Sequence, residues 1–326
     1  MIYIEHDSKD ARFWFALESY FLQERDLGQP VFLFWHTRPT VMIGSYQVAA
    51  AEINEAYVRN NGICVVRRLS GGGAIYTDPG SWQFSYILRN QQENPIDFKP
   101  YVQPIQTALS KLGVHTVMSG RNDLLVAEKK CCGNAQYRNH GALLHHGSIL
   151  FDANIENMVN SLTVADDKII AKGIKSIRQR VTNIAEHLNG DLDTLAFKKR
   201  MLCALVKGTD IRYTLTAHDL KRIYEISREK FESWDWTYGQ SPSFQIIKSR
   251  RLSGGKVDIH LNLERGCIQA CSIHGDFFYS GDITLLTQSL QGCHYREDAV
   301  RDALAGVLQH HSFFHVSLEE LVQCFL

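Results

Sequence analysis

Two arginines followed by three consecutive glycines form the segment of the chain that says most about chemistry. Arg67 and Arg68 precede Ser70-Gly71-Gly72-Gly73, and the segment continues through Ala74-Ile75-Tyr76. Consecutive glycines permit positive φ angles and present several backbone N–H groups to one point. Guanidinium groups beside such a nest favour phosphate or carboxylate oxygens. The segment lacks the Gly-Lys-Ser/Thr of a Walker A loop, and a strand is expected after it rather than a helix. The alternative is a glycine-rich hairpin beside two solvated arginines.

A lysine before a predicted turn forms the second candidate. Lys130 precedes Gly133-Asn134, where we expect the chain to turn. A fixed ammonium group there would stabilise negative charge that develops on phosphate or carboxylate oxygens. The alternative is a solvated lysine at a hairpin tip, because lysine is mostly exposed in proteins. Cys131 and Cys132 lie between Lys130 and Gly133. These thiols could be sensitive to oxidation, or the two cysteines could be strand residues with one side chain in the core.

Two further segments carry possible ligands. Residues 172–183 (KGIKSIRQRVTN) include four cations within nine residues, which indicates an anion-binding loop, a docking surface for an acceptor or a basic exposed loop. Cys267, Cys271 and His274 could form a zinc module, but the three do not share one face of a strand and their spacing is not typical of zinc sites. We therefore expect no metal site built from a protein cluster.

The composition excludes several classes of protein. The 326 residues carry 35 basic and 35 acidic side chains, so no global positive field exists to bind nucleic acid by neutralising phosphates. The longest apolar run, at 201–206, is far shorter than the roughly 20 residues of a membrane span. The first ten residues lack the basic and apolar regions of a secretory signal, and the eight cysteines form no CxxC pair. We expect a cytoplasmic protein that uses neither nucleic acid nor membrane as a partner.

The elements that must position these residues follow from hydrophobic periodicity and turn residues. The patterns predict helices at 8–26, 100–112 and 154–162 and strands at 31–35, 40–43, 63–69, 82–88, 123–127 and 147–151. Alternation at 256–263 and an apolar run at 267–273, with Gly266 between them, predict a hairpin, and 281–309 predicts two helices. This order favours an α+β fold with a mostly antiparallel sheet and flanking helices. A composition change near 233–255 places a domain boundary between a catalytic domain at 1–245 and a small α+β accessory domain at 246–326.

The order of the motifs resembles that of the lipoate–protein ligase family, within the wider biotin/lipoate ligase fold group. The residues that carry the resemblance are RRLSGGGAIY at 67–76, GRNDL at 120–124, KCCGNAQ at 130–136, His146-Gly147 and the segment 172–183. Upstream, Trp35, PTVMIG at 39–44 and Gln47 match the family pattern. Downstream, WDW at 234–236, GQSP at 239–242 and LQGC at 290–293 resemble the long bacterial form, which has an accessory C-terminal domain.

The resemblance implies a two-step reaction. Lipoate and ATP form lipoyl-AMP and pyrophosphate, and the lipoyl group then moves to a lysine of an apo-lipoyl domain. The implied carriers are the E2 subunits of 2-oxoacid dehydrogenases and the glycine-cleavage H protein. The implied contacts to ATP or lipoyl-AMP are Arg68, Gly71, Gly72, Gly73, Ala74, Ile75, Tyr76 and Lys130. Lys130 would act electrostatically on the lipoate carbonyl and the α-phosphate, Trp35 and His146 would line the lipoyl site, and Asp123 would lie near Mg²⁺. A histidine common after the Ala-Ile-Tyr segment is Thr77 here, so its role does not transfer.

Three other functions remain open at this level. An acyltransferase that works without ATP needs a cysteine nucleophile, and the candidates near Lys130 are Cys131 and Cys132. A biotin ligase is disfavoured because the Gly-Arg-Gly-Arg type of loop is absent. A non-catalytic acyl-binding protein would have no need of Arg68, Lys130 and the glycine triplet together.

Overall fold

The computed structural model describes residues 1–47, 49–91, 95–120, 122–162, 180–239, 246–264, 267–295 and 297–325. The strands are β1 (Ile2–Ile4), β2 (Val31–Trp35), β3 (Thr40–Ile43), β4 (Cys64–Arg67), β5 (Ile75–Thr77), β6 (Ser81–Leu88), β7 (Val117–Ser119), β8 (Asp123–Val126), β9 (Lys129–Asn139), β10 (Ala142–Leu150), β11 (Ile211–Tyr213), β12 (Ile246–Leu252), β13 (Gly255–Glu264) and β14 (Cys267–Gly275).

In the described part of the chain, the α-helices pack against three sheets. They are α1 (Ala11–Gln23), α2 (Ala49–Glu52), α3 (Glu55–Asn60), α4 (Lys99–Lys111), α5 (Ile155–Ser161), α6 (Thr194–Leu205), α7 (Ala217–Ile226), α8 (Trp234–Thr237), α9 (Ile283–Leu290), α10 (Glu297–Leu308) and α11 (Leu318–Phe325). Among the described residues, no helix combines the length and the apolarity that a membrane span requires.

The main sheet has eight strands in the order β11-β1-β2-β6-β10-β9-β8-β7. Its pairs are antiparallel from β2 to β7, and β1 is parallel to both of its neighbours. A small sheet has the order β4-β3-β5, and a third sheet pairs β12, β13 and β14 as an antiparallel meander. The α+β fold with a mostly antiparallel sheet is therefore confirmed.

Helix α1 shows how a local pattern positions a site residue. Asp10 caps the helix by accepting a hydrogen bond from the backbone N–H of Arg12 at 2.9 Å, so the helix begins at Ala11 rather than at the predicted residue 8. The predicted apolar positions Phe13, Leu17 and Phe21 are all buried. Helix α1 also buries nearly all of its remaining side chains. Its single carboxylate, Glu18, therefore lies inside the protein.

The predicted turn at Gly133-Asn134 is wrong. Both residues lie inside the eleven-residue strand β9, and the turn before it falls at Ala127 and Glu128, whose φ angles are 47° and 65°. The long strand forms because all its neighbours provide partners, with β8 on one side and β10 on the other. Strand β12 and helices α6, α7 and α11 were not predicted either. The predicted hairpin of β13 and β14 and the two helices α9 and α10 are confirmed.

The C-terminal segment at 246–325, here called the accessory region, contacts the loops that follow strands β3 and β4 of the small sheet. The rings of Tyr46 and Phe277 stack with their centroids 4.8 Å apart. The Gly275 N–H donates to the Tyr46 carbonyl at 2.8 Å, and the Gly72 N–H donates to the Phe277 carbonyl at 3.1 Å. These contacts place the loop after β14 against the glycine-rich segment.

Candidate active site

A cavity of about 490 Å³ lies between the main sheet, the small sheet and the accessory region. Its lining combines aromatic and aliphatic side chains with glycine backbone and with charges of both signs. Among the lining residues are Phe15, Trp35, Met42, Arg68, Gly72, Gly73, Ala74, Ile75, Asp123, Lys130, His146, Arg251, Asp276 and Phe278. The cavity therefore brings together most of the residues that the motifs predict, although these lie on segments far apart in the chain.

Two of the predicted contacts, Gly71 and Tyr76, do not line this cavity. Tyr76 lies on the opposite side of β5 from Ile75, where its hydroxyl accepts a hydrogen bond from Asn157 Nδ2 at 3.2 Å. A Cβ atom at Gly71 would lie 2.2 Å from the Phe277 carbonyl oxygen. Gly71 is thus required for the contact with the accessory region.

Arg67 and Arg68 are buried, and the interpretation as solvated arginines is wrong. Arg67 is fully buried and Arg68 is 5% exposed. Arg67 donates to five backbone carbonyl oxygens at 2.6–3.2 Å, which belong to Gly44, Ser45, Gln47, Trp236 and Thr237. Burial lowers the pKa of both guanidinium groups to about 10, which leaves them charged at neutral pH.

Arg68 organises the glycine-rich segment. Its Nη2 donates to the carbonyl oxygens of Gly71 and Gly73 at 2.8 and 2.7 Å, and its Nη1 donates to the Met42 carbonyl at 3.0 Å. Because it also lines the cavity, Arg68 presents positive charge there while most of its donors hold the loop.

The predicted nest of N–H groups takes a different form. Of the three glycines, Gly72 has a positive φ of 90°, whereas Gly71 and Gly73 do not. The Gly72 N–H points to the Phe277 carbonyl and not into the cavity. Sequence alone could not show this, because the acceptor comes from a segment more than 200 residues away.

A β-bulge aims Lys130 at the cavity. Leu124 pairs with Cys132 and Leu125 with Lys130, so Cys131 is the extra residue on β9. Lys130 Nζ lies 2.8 Å from Asp123 Oδ1, and both side chains are about one-third exposed. A Cβ at position 133 would come within 2.9 Å of Nζ, so Gly133 leaves the space that the lysine occupies. The ammonium group is thus held at the cavity wall by a carboxylate and not solvated at a hairpin tip.

Both cysteines beside Lys130 are completely buried. Burial raises the pKa of the Cys131 thiol to about 12 and raises that of Cys132 well above its ordinary value. Neither thiol lines the cavity. A protonated, inaccessible thiol is a poor nucleophile and a poor target for oxidation.

His146 belongs to a buried chain of polar contacts. Its Nε2 lies 2.6 Å from Ser70 Oγ, and its Nδ1 lies 3.1 Å from Glu18 Oε1. Ser70 accepts from Arg68 Nε at 3.2 Å, so the network assigns a hydroxyl that donates to His146 Nε2 and an Nδ1–H that donates to Glu18. The order serine, histidine, glutamate is that of a hydrolase triad. However, Ser70 is fully buried and does not line the cavity, so it has no access to a substrate.

The same network reaches the aromatic wall of the cavity. Glu18 also accepts from Ser85 Oγ at 2.6 Å, and Ser85 accepts from Trp35 Nε1 at 3.1 Å. The Trp35 ring packs edge-on against Phe15, with centroids 5.9 Å apart. Buried hydrogen bonds therefore fix the orientation of Trp35 and His146 in the cavity wall.

Thr77 takes part in a separate buried network. Its hydroxyl accepts from Gln83 Nε2 at 2.6 Å and is fully buried. Gln83 lines the cavity, as Ser148 does, and its Nε2 lies 3.2 Å from Ser148 Oγ. Gln83 of β6 thus faces the cavity, whereas Trp82, Phe84 and Tyr86 on the other face of the strand belong to the core.

Part of the basic segment 172–183 lies beside Lys130. The Thr182 N–H donates to the Lys130 carbonyl at 3.0 Å, and Val181 forms a bridge with the same residue. Residues 172–179, and Arg121 of the GRNDL motif, lie outside the described residues, as do Gly266 and residues 240–242 of the GQSP motif.

Cys267, Cys271 and His274 do not converge to form a zinc module. His274 Nδ1 lies 3.1 Å from the Tyr46 carbonyl, and its Nε2 lies 2.7 Å from Ser272 Oγ. Within the part of the chain that the structure describes, no three His, Cys, Asp or Glu side chains converge as metal ligands.

Two protein families match the chain in series. Residues 10–206 match the lipoyl protein ligase A/B catalytic domain, and residues 241–325 match the bacterial lipoate protein ligase C-terminus. The lipoate-protein ligase LplJ of Bacillus subtilis is 39% identical over 327 residues, which cover 99% of each chain. This chain belongs to the lipoate–protein ligase family. It is an enzyme of that class.

Solved structures share the fold of this ligase. Plasmodium falciparum LipL1 in complex with lipoate superposes with a TM-score of 0.72 at 22% identity, over 95% of this chain and 99% of that one. A bipartite lipoate protein ligase of Thermoplasma acidophilum, solved in work on its E2 lipoyl domain, has a TM-score of 0.63 at 25% identity and covers 75% and 98%. A lipoate-protein ligase A bound with ATP has a TM-score of 0.59 at 22% identity and covers 74% and 98%.

Several residues of the ligase site carry no motif of their own. Arg251 and Asp276 line the cavity without being predicted, and the equally unpredicted Glu18 and Ser85 hold its lining residues His146 and Trp35. Glu18 left a signal that could have found it, because the residues three and four positions away on the same helix face, Trp14, Phe15, Phe21 and Leu22, are all apolar. Arg251 and Asp276 left none, because their position depends on how the accessory region packs.

Proposed function

We propose that this ligase activates lipoate with ATP to form lipoyl-AMP, releases pyrophosphate, and transfers the lipoyl group to a lysine of an apo-lipoyl domain. The observation that carries the proposal is the position of Lys130, whose ammonium group lines a cavity that has both an aromatic wall and a glycine-rich wall. The acyl tail of lipoate suits the aromatic wall, and the phosphates of the nucleotide suit the glycine-rich wall. The reaction joins the two substrates beside one cation, Lys130.

The aromatic wall suits the acyl chain of lipoate. Trp35 and Phe15 supply apolar surface, and Met42 adds a flexible side chain that adapts to an irregular ligand. His146 contributes a ring edge whose orientation is set by Ser70 and Glu18. The lipoate-bound structure of the Plasmodium relative, which shares this fold, supports this assignment.

The glycine-rich wall suits the nucleotide. Gly72, Gly73, Ala74 and Ile75 bring backbone close to the cavity, and Arg68 adds positive charge behind them. The resemblance also implies Gly71 and Tyr76 as contacts, and these would act from behind the wall by shaping it. The ATP-bound ligase structure supports a nucleotide site in this fold.

Lys130 acts in both steps by electrostatics. In the first step a lipoate carboxylate oxygen forms a bond to the α-phosphorus while the α–β bridging bond breaks and pyrophosphate leaves. In the second step the carrier amine attacks the lipoyl carbonyl and AMP leaves. Negative charge grows on carbonyl or phosphate oxygens each time, and a pre-positioned ammonium group stabilises it.

The residues present fit one magnesium ion bound with the nucleotide. Mg²⁺ commonly uses one or two carboxylates together with substrate phosphates, and Asp123 lines the cavity beside Lys130. When bound, the ion would neutralise phosphate charge. Asp123 itself holds Lys130 in place.

We further infer that residues 1–245 form the catalytic domain and 246–326 the accessory domain, with apo-lipoyl domains of E2 subunits and the H protein as carriers in the cytoplasm. The end of α8 at Thr237 and the start of β12 at Ile246 support the boundary. The Thermoplasma ligase, studied with its E2 lipoyl domain, supports that class of carrier.

The competing function is acyl transfer without ATP through a cysteine. The burial of Cys131 and Cys132 and their raised pKa values oppose it. In addition, neither sulfur lines the cavity. A double Cys131→Ser and Cys132→Ser variant that folds is expected to keep its transfer activity.

Acyl transfer measured by intact mass tests the proposal. An apo-lipoyl domain is incubated with lipoate, with and without ATP and Mg²⁺, and wild type is compared with Lys130→Ala and Lys129→Ala. We expect ATP-dependent lipoylation that falls by at least about 100-fold in Lys130→Ala. Lys129→Ala is the matched control, because the neighbouring lysine does not line the cavity. Transfer from an acyl-carrier thioester without ATP would overturn the proposal in favour of the acyltransferase.

A further inference from the structure

The accessory region supplies a cation to the cavity. Arg251 lies at the end of β12, opposite Lys256 of β13, and its side chain lines the cavity together with Leu252, Ser253 and Asp276. The guanidinium group is held at the rim by Asp276, with Nη1 2.9 Å from Oδ2. It remains 67% exposed, so it is close to the cavity without being sequestered.

The other two cations of the described cavity lining, Arg68 and Lys130, already have partners within the protein. Arg68 donates to three backbone carbonyl oxygens and to Ser70 Oγ, which commits four of its five N–H groups to the protein. Lys130 is paired with Asp123. Among the described lining residues, Arg251 is the arginine whose guanidinium group can rotate toward an incoming anion. The rotation breaks one ion pair at the rim, whose arginine is exposed to solvent, and ion pairs of exposed side chains contribute little to stability.

Asp276 places Arg251 opposite the glycine-rich wall. The carboxylate accepts a hydrogen bond from the Lys256 backbone N–H as well as from Arg251. A Cβ built at Gly73 would lie 3.7 Å from Asp276 Cβ. A phosphate chain that lies along Gly72 and Gly73 therefore passes the Arg251–Asp276 pair.

We propose that Arg251 binds the β- and γ-phosphates of ATP during adenylation, exchanging its ion pair with Asp276 for the phosphate oxygens. The role of Arg251 in adenylation rests on the proposed function, whereas its binding of a nucleoside triphosphate does not. As the α–β bridging bond breaks, its electron pair stays on the leaving pyrophosphate, and a planar guanidinium group stabilises that charge with two parallel hydrogen bonds. No pyrophosphate takes part in the transfer step, so Arg251 acts in the first step alone.

Arg250 offers a matched control. It is the neighbouring arginine on β12, and consecutive residues of a strand face opposite sides. Its Nη1 donates to the Gln323 carbonyl of α11 at 3.2 Å, and it does not line the cavity. Removing either arginine changes the net charge by the same amount, so a difference between the variants reports position.

Three measurements on wild type, Arg251→Ala, Arg251→Lys and Arg250→Ala test the proposal. They are lipoate-dependent ATP–pyrophosphate exchange, transfer of the acyl group from chemically prepared lipoyl-AMP to an apo-lipoyl domain, and calorimetric binding of α,β-methylene-ATP and of AMP. For Arg251→Ala we expect exchange efficiency and triphosphate-analogue affinity to fall by about 10- to 100-fold. Transfer from lipoyl-AMP and AMP binding should stay at the wild-type level. Arg251→Lys should recover part of the loss, and Arg250→Ala should match wild type.

The outcomes separate this inference from the proposed function. If Arg251→Ala and wild type bind the analogue with equal affinity, the proposed role of Arg251 is overturned. A loss of transfer activity as large as the loss of exchange activity also overturns it, because such a loss would indicate a structural effect. Wild-type enzyme that binds the analogue but catalyses no exchange contradicts the proposed reaction. The calorimetric comparison of the variants still decides the phosphate contact in that case.

Discussion

Arg67 and Arg68 carry their charges inside the protein, and the reason is visible at each nitrogen. Burying an ion is costly unless hydrogen bonds replace the lost water. Arg67 obtains this compensation from five carbonyl oxygens, three in the segment 44–47 and two at the end of α8. The Trp236 indole N–H completes the contact by donating to the Arg67 carbonyl at 2.9 Å. Gly44 and Gln47 of the upstream motif and WDW at 234–236 thus build one arginine-binding site.

This arrangement predicts a large effect of Arg67→Ala. The substitution leaves five buried carbonyl oxygens without their donor and opens a cavity, so we expect the free energy of unfolding to fall by about 3–5 kcal/mol. Arg38→Ala is the control, because Arg38 is half exposed and its pair with Asp10, at 3.0 Å, is worth less than about 1 kcal/mol. Urea denaturation measures both. Similar losses in the two variants would contradict the assigned role of Arg67.

At the scale of elements, strands position the site and their irregularities aim its side chains. The bulge on β9 turns Lys130 toward Asp123, and the alternation of β6 separates cavity-facing Gln83 from the core residues Trp82 and Phe84. Gly147 on β10 shows how little room is left, since a Cβ there would lie 2.4 Å from the Phe84 ring. The His-Gly motif therefore combines a polar group of the cavity wall with a residue that the neighbouring strand requires to be small.

Strand β14 makes the stability of the contact between the regions depend on pH. His274 is 8% exposed, and burial, followed by the neighbouring His260, lowers its pKa to about 4. The unfolded chain, with a histidine pKa of about 6.5, binds the proton more readily between these values. The contribution of neutral His274 to stability is therefore complete above pH 6.5 and is lost as the pH falls toward 4.

We expect His274→Gln to flatten this dependence. Wild type should lose about 3 kcal/mol of unfolding free energy through this residue between pH 7 and pH 4, and the variant should lose correspondingly less. Chemical denaturation at a series of pH values measures the slopes. The same substitution at the exposed His115 serves as the control for replacing a histidine by glutamine. Identical slopes for wild type and His274→Gln would show that His274 does not titrate with folding.

At the scale of the whole molecule, the accessory region covers part of the cavity in which the proposed reaction takes place. Phe277 accepts from Gly72, its ring stacks on Tyr46, and Phe278 packs against Phe98 with ring centroids 5.2 Å apart. The same region supplies Arg251 to the cavity. We expect this arrangement to favour adenylation and a displaced accessory region to admit the carrier lysine.

Two glycine substitutions test the contact. Gly71→Ala places a Cβ 2.2 Å from the Phe277 carbonyl oxygen, whereas at Gly73 the nearest atom is 3.7 Å away. Gly71→Ala should push the accessory region outward, increase the radius of gyration in small-angle scattering and lower the free energy of unfolding by about 1–3 kcal/mol. Gly73→Ala should leave the scattering unchanged. An unchanged radius of gyration with wild-type stability in Gly71→Ala would show that the contact is dispensable.

Local patterns determined much of this protein. The strands Val31–Trp35 and Thr40–Ile43 have their predicted bounds, and the helix at Lys99–Lys111 ends before Gly113 as its sequence indicates. These elements depend on propensity, caps and turns, which act over a few residues. The ordered motifs were enough to identify the family, and they named Lys130, Arg68, Trp35 and His146, all of which line one cavity.

Tertiary structure alone decided which of these groups are buried, paired or free to meet a ligand. The burial of Arg67 depends on carbonyl oxygens up to 170 positions away, and the link between His146 and Glu18 spans 128. The bulge at Cys131 depends on pairing with β8, and the position of Arg251 depends on how the accessory region docks. The physical reason is that the cost of burying a charge is set by partners that folding brings from elsewhere in the chain, and no local pattern encodes them.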